Sequence, residues 1–214
     1  LKLIAIFPQI KLVGLSGSVA MLSAKKEDDI DLFIITAQNK LWTGRFICLL
    51  VASLFGRRKF HDSHTSDKLC LNLFFDEGRL QIEPKKRSYY VAHEVLQMKP
   101  LVSKGKTYER FLEANKWVYK IFPNAYSLVR GSTHNFLMTV GAASHSRGPK
   151  SQKIGVFASF LESWLRKFQL MLINRHKTTE RITDKQLWFF PDDFERKMKD
   201  FKPYFAYGRA KVRG

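Results

Sequence analysis

Cysteine is scarce in this 214-residue chain, and Cys48 and Cys70 both sit within apolar runs. Two thiols are too few for a disulfide framework, so the reading is a reducing, cytoplasmic setting with both cysteines in the core. Long uninterrupted apolar runs are also missing. The longest, 41–55 and 154–174, are broken by Arg45 and by Glu162, Arg166 and Lys167. Neither reaches the ~20 lipid-compatible residues of a membrane span, so no integral membrane association is expected. The opening LKLIAIFPQIKLVGL is interrupted by Pro8, Gln9 and Lys11 and lacks a small-residue cleavage site, so it reads as a helix end feeding a strand rather than a secretory signal. Metal-ligating histidine patterns are absent too. His93 and Glu94 begin HEVLQ without the second histidine of a zinc protease helix, and His61 and His64 have no further ligand nearby. No internal repeat is visible.

Acidic residues are few: 19 against 37 lysines and arginines, a formal charge of +18. That excess is either a solvated basic surface or the footprint of a polyanion, with nucleic acid, nucleotide phosphates and an anionic membrane surface as candidates. The apolar fraction of 45% supports a substantial core, in which Trp117, Trp164 and Trp188 are placed.

Alternation and helical periodicity give a coarse map. Residues 11–17 read as a strand, 19–24 as a short helix and 30–36 (IDLFIIT) as a buried strand. LWTGRFICLLVASLFGRRK reads as a helix closed by Gly56 and three cations. A polar loop over 57–68 follows, then strand, turn and strand over LCLNLFF, DEG and RLQIEP. Helical patterns replace strand patterns from about residue 93. TYERFLEANKWVYKIF aligns Tyr108, Phe111, Leu112, Val118, Ile121 and Phe122 and stops at Pro123. A flexible connection is expected near 130–153, an amphipathic helix over 154–174, and a basic tail with a helix starting near Pro191. The fold class is α/β (α+β): a small mixed β-sheet with packed helices in a domain over 1–100, followed by a helical C-terminal region over 101–214.

Within VGLSGSVAMLSAKKEDDIDLFIIT, residues 13–36, two features stand together. Asp29 and Asp31 project to one side of an extended chain while Ile30 and Leu32 face a core. Adjacent carboxylates repel unless a cation joins them, and magnesium favours carboxylate oxygens plus substrate phosphates. Upstream, Ser16, Gly17 and Ser18 offer a turn whose glycine admits a phosphate close to the backbone, with hydroxyl donors and the amides of a helix start beside it. Lys25 and Lys26 can reach triphosphate oxygens from the intervening loop.

With ten residues between Ser18 and Asp29, a strand before the first motif and an apolar strand after the second, the stretch resembles the nucleotidyltransferase superfamily typified by DNA polymerase β. The wider chain, including YVAHEVLQMKPL and YERFLEANKWV, is similar to uncharacterised microbial nucleotidyltransferase-domain proteins. The resemblance implies transfer of a nucleoside monophosphate from a nucleoside triphosphate to an acceptor, releasing pyrophosphate. Asp29 and Asp31 would hold Mg2+ or Mn2+, and Ser18 would grip the triphosphate. RNA or another polyanionic acceptor suits the charge, with Lys197, Lys199, Lys202, Arg209, Lys211 and Arg213 available to follow a phosphate backbone. The family usually adds a third carboxylate on a neighbouring strand, and here that position falls to Asn72, an amide that cannot act as an anionic base. Asp76, Glu77 and Glu83 are the possible substitutes. If none replaces it, a weakened enzyme working as a nucleic-acid- or partner-binding regulatory module is the alternative.

Overall fold

The computed structural model describes residues 2–57, 68–125, 152–175 and 181–189. The expected loop histidines His61 and His64, most of the 130–153 connection, the helix near Pro191 and the C-terminal cations lie outside the described residues.

Six strands form one mixed sheet in the order β4-β1-β2-β3-β6-β5. Helix α1 (Lys2–Ile6) feeds strand β1 (Ile10–Leu15), and α2 (Gly17–Ala20) follows within one turn of chain. Strand β2 (Ile30–Thr36) runs antiparallel to β1, and α3 (Leu41–Leu54) then crosses back so that β3 (Leu69–Asp76) pairs parallel to β2. Residues 84–86 make a 3-10 turn before α4 (Tyr89–Gln97), β4 (Lys99–Ser103), α5 (Thr107–Ala114) and α6 (Trp117–Ile121). Helix α7 (Gln152–Asn174) and the short β5 (Arg181–Ile182) and β6 (Gln186–Trp188) complete the described chain.

The sheet divides the core in two, as strand alternation requires. Leu12, Phe33, Ile35, Leu73 and Phe75 face α4 and α5, whose Val91, Ala92, Val95, Tyr108 and Phe111 cover them. Val13, Leu32, Ile34 and Phe74 face α3 and α7 through Leu41, Trp42, Cys48 and Leu165. Helix α3 ends as expected, with Gly56 in the left-handed region at φ 61°.

Four expectations change. The RLQIEP segment is not a strand: β6 occupies the free edge of β3 instead, pairing Leu73, Phe74 and Phe75 with Trp188, Leu187 and Gln186. Several backbone groups of residues 79–82 are satisfied by side chains. Gln186 Nε2 donates to the carbonyls of Arg79 and Gln81, and buried Asn115 accepts from the Ile82 N–H and donates to the Leu80 carbonyl. Strand character also does not end near residue 93, because β4 pairs with β1 despite Pro100. The TYERF helix is broken at Asn115, whose amide also binds the Phe111 carbonyl and the Trp117 indole N–H. Finally, Trp188 is core, but Trp164 is 53% exposed and stacks on Phe168 with ring centroids 5.6 Å apart.

Candidate metal and nucleotide site

The site forms where β1 hands the chain to α2 and where β2 begins. The short helix starts at Gly17, earlier than the expected 19–24, because the turn after β1 is made by Gly17 itself at φ 64°. Only glycine occupies that region without steric cost. A Cβ there would stand 2.1 Å from Asp31 Oδ2, so the turn and the carboxylate share space that a side chain would fill. The Ser16 N–H donates to the Asp31 carbonyl at 2.9 Å and locks the two segments together.

Asp29 and Asp31 are half-buried at the head of β2, and the parallel register sets Asp31 beside Cys70 on β3. One donor atom each from Asp29, Asp31 and Cys70 lies within 4.8 Å of the others. Immediately beyond, β3 carries an extra residue: Leu71 pairs with Leu32 but Leu73 pairs with Phe33, which leaves Asn72 as a bulge. A bulge re-aims a side chain without ending the strand. Asn72 Nδ2 donates to Asp31 Oδ1, and its Oδ1 accepts from the Cys70 thiol at 2.8 Å. The structure thus brings Asn72 to Asp31, and Cys70 is a half-buried member of a polar cluster rather than core.

None of the substitute acids reaches this cluster. Asp76 lies at the far end of β3, four residues or about 13 Å along the strand from Asn72, where it accepts from the backbone N–H groups of Asn39 and Gly78 and pairs with Lys185. Glu77 pairs with Arg110 and Glu83 with Arg181.

The serines divide their work. The Ser16 hydroxyl is buried and donates to Glu94 Oε2 at 2.6 Å, and the Gly17 N–H also points to that carboxyl. Burial among apolar side chains pushes the Glu94 carboxyl above its usual range, against the opposing pull of its donors Ser16, Gly17 and Gln97 and of nearby His93. Ser18 donates to Asp28, whose carboxyl is held below its usual range first by the Lys25 backbone N–H and then by Ser18. Lys25 itself lies in an exposed loop and contacts Asp28 through that N–H at 3.0 Å. Behind the turn, a cavity of about 20 Å³, room for one water, is lined by Ser16, Glu94, Phe33, Leu73, Phe75 and Met98 among others.

Sequence reasoning did not pick out Glu94, Asp28 or Cys70 as members of the site. Glu94 interrupts the buried stripe Val91, Ala92, Val95 of α4, the kind of misplaced charge that marks a buried partner. Cys70 stands two residues before Asn72, on the same face of an extended strand.

No protein-family model matches this chain, and no curated protein does. Among solved structures, two are similar to part of this chain. One is the MntA–HpeT toxin–antitoxin in mutant form, 16% identical over 64% of this chain and 93% of that chain, with a TM-score of 0.33. The other is a toxin–antitoxin with AMP-PNP, 19% identical over 64% of this chain and 94% of that chain, with a TM-score of 0.34. Likeness this slight assigns no role to any residue here, and the chemistry of the site rests on its own geometry: paired carboxylates at the head of β2, a glycine turn set against one of them, and the Asn72 amide bridging that aspartate to Cys70.

Proposed function

We propose that the chain is a metal-dependent nucleotidyltransferase that moves a nucleoside monophosphate from a nucleoside triphosphate to an acceptor. The observation that carries this reading is the Gly17 turn, whose missing Cβ lets the Asp31 carboxylate lie directly against the turn's backbone, where a Cβ would stand 2.1 Å from Oδ2. Phosphate-admitting backbone and cation-holding carboxylates therefore meet at one place. Asp29 and Asp31 would hold Mg2+ or Mn2+, which when bound neutralises triphosphate charge and steadies the departing pyrophosphate. Gly17 lets the phosphates approach, Ser18 offers its hydroxyl and Lys25 a nearby cation, while Ser16 fixes the turn from behind through Glu94. The acceptor oxygen forms the new bond to the α-phosphorus and gives up its proton to solvent, and the bond from that phosphorus to the bridging oxygen breaks with its electron pair leaving on pyrophosphate. Residues 1–100 supply this machinery and residues 101–214 shape the acceptor side. The +18 charge supports RNA or another polyanionic acceptor, and two thiols outside disulfides suit the cytoplasm.

A second reading is favoured by Asn72. Its amide touches Asp31 where an acceptor-activating carboxylate would be expected, and Asp76, Glu77 and Glu83 are engaged elsewhere. A protein so built would bind nucleotide and turn it over slowly, acting as a regulatory binding module.

One experiment separates these. Calorimetric titration with each triphosphate, with and without magnesium, is run alongside a pyrophosphate-release assay on the parent, Asp29→Asn and Asp31→Asn. Metal-dependent triphosphate affinity is expected to fall at least about tenfold in each variant, with the melting temperature preserved because carboxylate repulsion is removed. Unchanged affinity in both variants overturns the cation-site reading. Tight binding by the parent without pyrophosphate release selects the binding module.

A further inference from the structure

The third donor beside Asp29 and Asp31 is a thiol, and no carboxylate takes its place among the described residues. Parallel pairing of Asp31 with Cys70 puts both side chains on one face of the sheet. The bulged Asn72 then ties them together, with its amide nitrogen on Asp31 Oδ1 and its amide oxygen on Cys70 Sγ. An amide cannot supply negative charge, so Asn72 positions the two ligands while the anionic third donor has to be sulfur.

We propose that Cys70 is the third ligand of the cation held by Asp29 and Asp31, so that this site takes a borderline divalent transition ion of the zinc and cobalt class in preference to magnesium. This rests on the reading of the two aspartates as a cation site. Magnesium demands near-octahedral oxygen coordination and rejects thiolate, whereas zinc and cobalt accept mixed oxygen and sulfur donors. Binding replaces the Cys70 S–H bond with a metal–sulfur bond and releases one proton to solvent. Losing that proton also breaks the thiol's bond to Asn72 Oδ1 and leaves Sγ able to turn toward the carboxylates.

The test uses the full chain with metal alone. Cobalt and cadmium are titrated in, with thiolate-to-metal charge-transfer absorption, heat and proton release recorded together. The expected result is a band that saturates at one ion per chain with about one proton released. Cys70→Ser is expected to lose the band and at least about tenfold in zinc affinity, with magnesium affinity kept within about twofold. The other thiol, Cys48, is no alternative source, because it is fully buried on α3 with its pKa pushed up to about 12. Binding heat without a band in the parent overturns the proposal while leaving the aspartates as a cation site. Absence of any metal binding overturns both readings. Should Cys70→Ser fail to fold, the parent still decides: zinc is expected to protect Cys70 from iodoacetamide, and unprotected alkylation at saturating zinc refutes sulfur ligation.

Discussion

Glu94 holds the glycine turn from the inside, where its carboxyl accepts from Ser16, Gly17 and Gln97 yet is walled by apolar side chains. Desolvation wins over those donors, so the folded protein keeps a proton there at pH values where the unfolded chain has lost it. Gln97 Oε1, buried without a hydrogen-bond partner, is available to accept a hydrogen bond from the protonated carboxyl if its amide turns over. The sign follows from linkage: a carboxyl whose pKa is raised on folding adds stability below its unfolded value of 4.5, and that increment is lost as pH rises toward the raised value. Urea midpoints measured from pH 4.5 upward are therefore expected to carry a falling component that Glu94→Gln removes. An unchanged pH profile in Glu94→Gln would place the titration elsewhere. Glu94 and Cys70 were both legible as residue types and illegible as partners, because Ser16 and Glu94 are 78 positions apart and only the folded chain makes them neighbours.

At the scale of elements, β2 and α3 followed directly from their own residues: a continuous apolar run buried on both faces, and a helix closed by glycine. The segment after β3 did not. RLQIEP alternates well enough to be a strand, but strand identity is settled by which edge is available, and Gln186, Leu187 and Trp188 take that edge from more than 100 positions away. What remains is an irregular stretch dependent on Asn115, which uses both ends of its amide on Ile82, Leu80, Phe111 and Trp117. Asn115→Ala would strand a buried N–H and carbonyls and leave a void, a loss expected at about 3 kcal/mol. A urea unfolding curve with the same slope and a lower midpoint is the expected signature. A loss under about 1 kcal/mol would show that water replaces the amide.

Across the whole molecule, α7 is coupled to α3 by polar contacts as much as by its apolar face. Glu162, read from sequence only as an interruption of an apolar run, accepts from the backbone N–H groups of Trp42 at 2.7 Å and Thr43 at 3.0 Å and from the Thr43 hydroxyl. A carboxylate at a helix start satisfies unpaired amides and complements the helix dipole. Gln169 adds a second clasp, donating to the Trp42 carbonyl and accepting from Arg45. Glu162→Gln keeps the size and removes the charge, with an expected cost of about 1–2 kcal/mol. Thermal unfolding would read this as a lower midpoint, and an unaltered midpoint would mean that the charge contributes nothing to the clasp.

The Glu162 clasp bears on how the chain matures as it is made. Residues 42 and 43 leave the ribosome well before residue 162, and at roughly 5–20 residues per second the first turn of α3 waits on the order of ten seconds for its cap. Strand β3 waits nearly as long for β6 to cover its edge. During that interval the nascent chain presents bare amides and an open strand edge, the surfaces that invite wrong pairing. A messenger cut short before the codon for Glu162 would therefore yield a product that holds both aspartates and the glycine turn yet lacks the parts that cap α3 and cover the edge of β3.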